Sequence, residues 1–329
     1  MLQLGPRDAF SMLLRAAVPL SARKSLRRSA DPIIMKRIAI LGPGLLGGSI
    51  ALALRAKQGV EVRLWARRSE AVREAREMSV AALVSDSLEE VVKHADTVVL
   101  CMPVGAMPAV VAQLLPFLDP DALVTDVGSV KLSVEHALSP ILKNRALFVG
   151  SHPMAGSEKA GLIHAREDLF NAATCIVTPQ EGVTSPEAVT RATEFWESLG
   201  GRVRLLSPRQ HDAVCAFISH VPHLTAAALV NAVNARLPLA FDFFGPGFRD
   251  TTRVAGGLPE MWTEILLENR AEVLNGLRAL CAQLENAARI LEETAPADSS
   301  APLSAAQRHA QLNTFLSAAK SCRDNLRGG

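Results

Sequence analysis

The stretch Gly42-Pro43-Gly44-Leu45-Leu46-Gly47 follows the apolar run Arg37-Ile38-Ala39-Ile40-Leu41 and opens a helical pattern over 46–57. In a strand-turn-helix context, a GxGxxG match reads as a dinucleotide-binding loop. Gly42 permits the tight turn, Gly44 lets the main chain approach a pyrophosphate, and Gly47 lets helix and strand pack. The helix N-terminus adds free N–H donors and the positive end of a dipole. Leu45 and Leu46 within the loop, and Pro103 just beyond the strand at 97–102, complete the expected cofactor-facing set.

Outward from this loop, short aliphatic or β-branched runs alternate with amphipathic stretches, the pattern of βαβ units in a parallel sheet. Strands are predicted at 37–41, 61–65, 97–102, 122–126, 146–149, 174–178 and 202–206, with helices between most of them, for example at 69–77, 87–93, 106–116 and 186–199. After Pro208 the strand signal stops. Residues 209–235, 260–293 and 304–325 read as long helices, separated by a Gly- and Phe-rich loop at 241–257 and an Ala/Pro/Ser linker at 295–303. The expected fold is therefore α/β: a Rossmann-like doubly wound parallel sheet over 35–207, followed by an all-helical domain over 208–329. The apolar surface of the last helices (Ile265, Leu266, Leu274, Leu277, Leu280, Leu284, Ile290, Leu291) exceeds what they can hide alone, so a homodimer through this domain is expected. Residues 1–34 carry six basic and two acidic residues with four Ser, and are set aside as a disordered extension with transit-peptide-like composition, or as a misassigned start ahead of Met35.

Composition excludes several classes. The 329 residues are 49% hydrophobic and 21% charged, enough for a large core. Thirty-five Lys and Arg against 33 Asp and Glu give a net charge of +2, too balanced for the basic field that nucleic acid needs, and 4% aromatics without Tyr supply few stacking platforms. The longest uncharged stretches, 97–118 and 213–235, are broken by Pro and polar side chains, so no membrane partner is expected. Five widely spaced cysteines without a CxxC pair argue against disulfides and structural zinc, and suggest reduced thiols in a cytoplasmic protein.

An acidic residue near the end of the second strand would accept from an NAD ribose. Here the chain reads Trp65-Ala66-Arg67-Arg68-Ser69, with no carboxylate before Glu70. Two guanidiniums and a hydroxyl favour the 2′-phosphate of NADP over NAD.

Ligands bind beyond the carboxyl ends of parallel strands, so Asp126-Val127-Gly128-Ser129-Val130-Lys131 and Gly150-Ser151-His152-Pro153-Met154-Ala155-Gly156-Ser157-Glu158 come first as sources of chemistry. His152, in a Pro-stiffened turn, suits a base taking a proton from a hydroxyl. In 211–223, His220 and His223 share a helical face while His211 lies about 180° from His220 on a regular helix. No carboxylate stands at HExxH spacing and Pro222 kinks the segment, so no metal is expected; the kink is read as turning His220 toward the cleft. Gly247-Phe248-Arg249-Asp250-Thr251-Thr252-Arg253 places two Arg beside a flexible loop, a carboxylate clamp.

Taken in order, GPGLLGGS (42–49), DVGSVK (126–131), GSHPMAGSE (150–158), FISHVPH (217–223) and GFRDTTR (247–253) closely resemble the prephenate/arogenate dehydrogenase family of tyrosine biosynthesis, over about residues 37–290. The resemblance implies NAD(P)-dependent oxidative decarboxylation, with prephenate or arogenate as substrate and a helical dimerisation domain. It implies that His152 contacts the ring hydroxyl, that Ser129 bonds near that hydroxyl and the nicotinamide, and that Arg253 binds a substrate carboxylate. Glu158, His220 and Trp262 match positions that shape or gate the pocket. No chorismate mutase region is expected at the N-terminus, nor a regulatory ACT domain after residue 295. The competing readings are a hydroxyacid-type dehydrogenase, which would rely on a Lys where this chain has His220, and a non-catalytic nucleotide-binding protein.

Overall fold

The computed structural model describes residues 35–156, 159–292 and 303–326. The described residues up to Arg270 form one compact unit, and those from Ala271 form another. In the first, β1 (Arg37–Leu41), β2 (Glu61–Trp65), β3 (Leu83–Ser85), β4 (Thr97–Leu100), β5 (Leu123–Asp126) and β6 (Leu147–Phe148) form a six-stranded sheet ordered β3-β2-β1-β4-β5-β6, every pair parallel. Interleaved with them are α1 (Leu45–Arg55), α2 (Ser69–Glu77), α3 (Leu88–Val92), α4 (Met107–Leu114) and α5 (Leu132–Leu142). Both faces of the sheet are covered. Ile38 and Ile40 join Ile50, Leu54 and Val99 on one side, while Ala39 and Leu41 join Val98, Leu100, Val111 and Leu138 on the other. That is why these strands read as continuous apolar runs rather than alternating ones.

The sequence pattern placed 146–149, 174–178 and 202–206 in one sheet. The chain instead leaves the parallel sheet after Phe148 and begins β7 (Gly150–Pro153), which pairs antiparallel with β8 (Thr174–Thr178); β9 (Arg202–Leu205) joins β8 in parallel. Gly150 makes the change of sheet possible, since a Cβ there would lie 2.7 Å from Thr178 Oγ1. Between β8 and β9 runs α6 (Pro186–Ser198), capped by the Ser185 side chain and burying Phe195 and Trp196 in edge contact at 5.0 Å.

No strand follows β9 among the described residues. A capping box of Ser207 and Gln210 starts α7 (Pro208–Cys215), a π-helical turn spans Ala216–His220, and α8 (Val221–Arg236) continues. The continuous segment Pro208–Arg236 is long and apolar enough to cross a membrane by length and composition. It nevertheless buries His211, Asp212, His220 and His223, groups that hydrocarbon would accept only at considerable cost. The expected loop at 241–257 is largely helical: α9 (Pro246–Thr252) and the 3₁₀ turn at Pro238–Asp242 each start on a proline that presets helical φ, and a second 3₁₀ turn follows at Arg253–Gly256. The single helix expected over 260–293 is two, α10 (Pro259–Glu268) and α11 (Arg270–Leu291), parted at Asn269, whose side chain is committed elsewhere. In the second unit, α11 buries Val273, Gly276 and Ile290 and exposes Leu274, Leu284 and Leu291; α12 (Ala305–Asp324) buries none of its residues.

The order reversal between β1 and β4 opens the crevice in which such sheets bind ligands. Gly42 turns there with φ +118°, and a Cβ on it would stand 2.3 Å from the Cys101 carbonyl oxygen. Gly47 has a helical backbone, yet its Cβ would meet the Gly42 carbonyl oxygen at 2.0 Å. Gly47→Ala should therefore cost about 1–3 kcal/mol in urea unfolding, as overpacking against main chain does. Gly44, with nothing within 4 Å of an added Cβ, should tolerate Ala at under about 1 kcal/mol.

Candidate active site

Gly44 is the N-cap of α1. It has no side-chain cap, and no acidic residue occupies the first turn. The open space above it and the uncapped N–H groups below fit a dinucleotide pyrophosphate. Pro103 is exposed just past β4, where it precedes a 3₁₀ turn at Val104–Ala106. In that turn Gly105 N–H donates to Glu264 Oε1 of α10 at 2.5 Å, fixing the loop beyond β4. Arg67, Arg68 and Ser69 stand exposed at the end of β2. Ser69 donates to Glu70 at 3.2 Å, and Arg67 lines a cavity of about 440 Å³ with Trp65, Ser87 and Leu88. Two carboxylates, Asp86 and Glu89, share that cavity.

Beyond β5 lies a buried polar cluster. Asp126, fully buried at the strand end, forms an ion pair with Lys131, itself 1% exposed. Asp126 also accepts from Gly128 N–H at 2.8 Å and Ser151 N–H at 3.1 Å, and Lys131 Nζ donates to the Ser151 carbonyl at 2.9 Å. One ion pair thus ties the end of β5 to the start of β7 and sets the next residue, His152. Thr125 and Ser151 hydroxyls bond at 2.8 Å beneath it.

His152 is 8% exposed. Its Nδ1 lies 2.8 Å from His211 Nε2, and His211 Nδ1 lies 2.8 Å from Asp212 Oδ1. Burial, aided by His211, Lys131 and His220, holds the His152 pKa well below the ordinary imidazole value. His211 is lowered too, by burial that outweighs the opposing pull of Asp212. For Asp212, burial raises the pKa, but the hydrogen bonds from His211, Leu132 and Lys131 bring it below the usual carboxylate range. At neutral pH the cluster therefore holds a carboxylate and two neutral imidazoles. Cys215 Sγ sits 3.3 Å from His211 Nε2 and 3.8 Å from His152 Nδ1, with its thiol pushed up to about 12 by burial. The donor atoms of His152, His211 and Cys215 fall within 4.8 Å of one another, a spacing a metal could use. The two imidazole nitrogens instead face each other at hydrogen-bond distance.

The expected opposition of His211 and His220 does not hold. The π turn at Ala216–His220 widens the helix and removes rotation per residue; both rings are fully buried, and Asn269 links the main chain of Asp212, next to His211, to the His220 ring. That amide donates to the Asp212 carbonyl at 2.8 Å and stands 3.1 Å from His220 Nδ1. The re-aiming of His220 comes from this turn rather than from a kink at Pro222, which sits harmlessly in the first turn of α8. Burial lowers the His220 pKa to about 4, against the opposing pull of the Ser129 main chain. His223 stacks on Trp262 at 3.6 Å and 10°; a Cβ on Gly257 would collide with the Trp262 indole nitrogen at 2.3 Å.

Of the residues expected from sequence, His152, His220 and Trp262 are gathered here, and Ser129 is half-buried in the loop between Asp126 and Lys131, its main chain acting on His220. Arg253 is exposed in the turn after α9, and Arg249 lies over the Phe244 ring at 5.2 Å. Glu158 lies outside the described residues. Sequence reasoning gave no role to Asp126, Lys131, Asp212, Cys215 or Asn269. The adjacent pair His211-Asp212 was the available signal.

Residues 50–205 match the family described as prephenate dehydrogenase, nucleotide-binding domain, and residues 207–300 that described as prephenate dehydrogenase, dimerization domain. The chain is 39% identical to the cyclohexadienyl dehydrogenase of Zymomonas mobilis over 77% of this chain and 87% of that protein. It is 36% identical to the prephenate dehydrogenase of Bacillus subtilis over 72% of this chain and 65% of that one. Among solved structures it resembles prephenate dehydrogenase from A. aeolicus in complex with hydroxyphenyl propionate and NAD+ (TM-score 0.80, 29% identity, 90% of this chain and 100% of that one).

The Asp126–Lys131 pair makes a direct prediction. Lys131→Met leaves a buried carboxylate without its cation and should destabilise by about 3–5 kcal/mol. Adding Asp126→Asn should recover part of that loss in urea unfolding; simple additivity of the two losses would show the pair to be uncoupled.

Proposed function

The chain belongs to the prephenate dehydrogenase family, and from that membership we propose how its own residues carry out the reaction. It is a prephenate or arogenate dehydrogenase, an NAD(P)-dependent oxidoreductase that couples oxidation to decarboxylation. The observation that carries the residue assignment is the buried, neutral imidazole of His152 on β7, just past the carboxyl end of β6.

The substrate is a cyclohexadiene bearing a ring carboxylate, a three-carbon side chain and a hydroxyl at C4. When bound, the nicotinamide supplies the acceptor for the hydride leaving C4. His152 takes the hydroxyl proton, so electron density can flow into the forming C4–O double bond, and loss of CO₂ then leaves an aromatic ring. Aromatisation drives the reaction, so the protein's tasks are alignment and one proton transfer. Ser129 orients the hydroxyl, and Arg253 grips a substrate carboxylate. His220 and Trp262 shape the pocket wall. The uncapped N-terminus of α1 and the loop 42–47 hold the pyrophosphate. Arg67, Arg68 and Ser69 favour NADP, in competition with the nearby Asp86 and Glu89. Exposed Leu274, Leu284 and Leu291 on α11 support a homodimer, and the role in tyrosine biosynthesis follows from the reaction.

Crossing prephenate and arogenate with NAD and NADP on purified protein tests the reading; no reduction of cofactor in any of the four combinations would overturn it. Arg67→Ala or Arg68→Ala should weaken NADP about tenfold or more, the loss of a charge-assisted contact of about 1.5–3 kcal/mol, and leave NAD nearly unchanged. His152→Asn should keep cofactor binding but lose about 10²–10⁴ in kcat. Because burial lowers the His152 pKa, the base form persists into acid, and the acidic limb of the wild-type kcat/KM profile should fall below the ordinary 6.5.

A further inference from the structure

We propose that Asp212 and His211 form a positioning relay that acts through His152, fixing which nitrogen of that ring is the base and stabilising its protonated form. The proposal rests on His152 being the base of the dehydrogenation. Its warrant is a chain of two hydrogen bonds, each 2.8 Å, through three side chains that are 4%, 0% and 8% exposed.

The chain determines the tautomers. Asp212 is already a triple acceptor: Oδ1 takes the Lys131 N–H at 2.7 Å and His211 Nδ1 at 2.8 Å, and Oδ2 takes the Leu132 N–H at 3.0 Å. A carboxylate so placed can face only a protonated nitrogen, so His211 carries its proton on Nδ1 and presents a bare Nε2. That lone pair requires a donor from His152, which therefore carries its proton on Nδ1 and leaves Nε2 as the base. The Cys215 thiol is the competing donor to His211 Nε2, but at 3.3 Å to sulfur it is the weaker one. When His152 Nε2 takes the substrate proton, the new positive charge is shared along the two bonds toward Asp212. No proton need leave the cluster during the step. The other groups felt by the relay are Lys131 and His220, which oppose that charge, and Asp126, which favours it.

A helix cap alone would explain the Lys131 and Leu132 contacts of Asp212, but not the imidazole inserted between the carboxylate and His152. The test must therefore read the base rather than the fold. In ¹⁵N NMR of the wild-type protein at neutral pH, His152 and His211 should both appear as Nδ1–H tautomers; an Nε2–H form of His152 overturns the relay whatever the substrate is. His211→Gln should lower kcat about 10–100-fold, the usual effect of removing a supporting partner, with KM for both substrates within about threefold. In a His152→Asn background the same change should cost nothing further. A full additional loss there would mark His211 as merely structural. Asp212→Asn, which keeps an acceptor for the main-chain amides, should move the acidic limb of kcat/KM to lower pH, because the removed negative charge had favoured the protonated relay; an unmoved limb counts against the proposal. If wild type turns over neither prephenate nor arogenate, the functional reading fails, while the tautomers still decide the relay.

Discussion

Asp212 holds together parts of the chain that are far apart in sequence. Its carboxylate caps the N-terminus of α5 through Lys131 and Leu132, its side chain holds His211, and its main-chain carbonyl takes the amide of Asn269. The cap places a negative charge where the α5 dipole is positive. Asn269 is the residue at which α10 ends before α11 begins. The geometry of the loop after β5, the imidazole cluster and the position of Trp262 on α10 are thus coupled through one residue. Removing it would disturb the fold and the chemistry together, which is why separating the two needs readouts specific to each.

The electrostatics of the site follow from how its charges are buried. Asp126 and Lys131 neutralise each other, and their remaining hydrogen-bonding capacity is taken up by Gly128 and Ser151. Asp212 is the remaining carboxylate of the cluster, and three N–H donors satisfy it. Beside these, desolvation makes protonation of His152, His211 and His220 costly, so each stays neutral. A neutral imidazole in a dry pocket can accept a proton only if a counter-charge is near. Asp212 supplies it without forming an ion pair that would prevent the imidazole from acting as a base.

Much of the parallel sheet was legible because its strands are buried on both faces and so read as uninterrupted apolar runs. The glycine loop was legible because Gly42 and Gly47 are demanded by contacts of 2.3 and 2.0 Å that no side chain could share. β3 was not: three residues carry too little pattern. The second sheet was misread because the switch at Val149–Gly150 depends on a tertiary approach to Thr178, not on any local signal. The site was half legible. His152 announces itself by following a strand end, but the gathering of His220 into the cluster that holds His211 depends on a π turn, and nothing in Ala216-Phe217-Ile218-Ser219-His220 advertises one. A regular helix drawn from the same letters separates the very residues that the folded chain unites.

The low proton affinity of His152 suits the thermodynamics of the reaction. A base of depressed pKa is a weak acceptor, and for a reaction with an unfavourable proton transfer that would be a handicap. Here the product is aromatic, so the driving force lies in the ring rather than in the base. What the site must secure is that the base is unprotonated, correctly oriented and shielded from water when the hydride leaves. Burial secures the first and the third, and the hydrogen bond to His211 secures the second. The same burial would make the protonated ring too costly to form, were it not for the carboxylate two hydrogen bonds away. A site that excludes water this well therefore needs Asp212 for the proton transfer as much as α5 needs it for its cap.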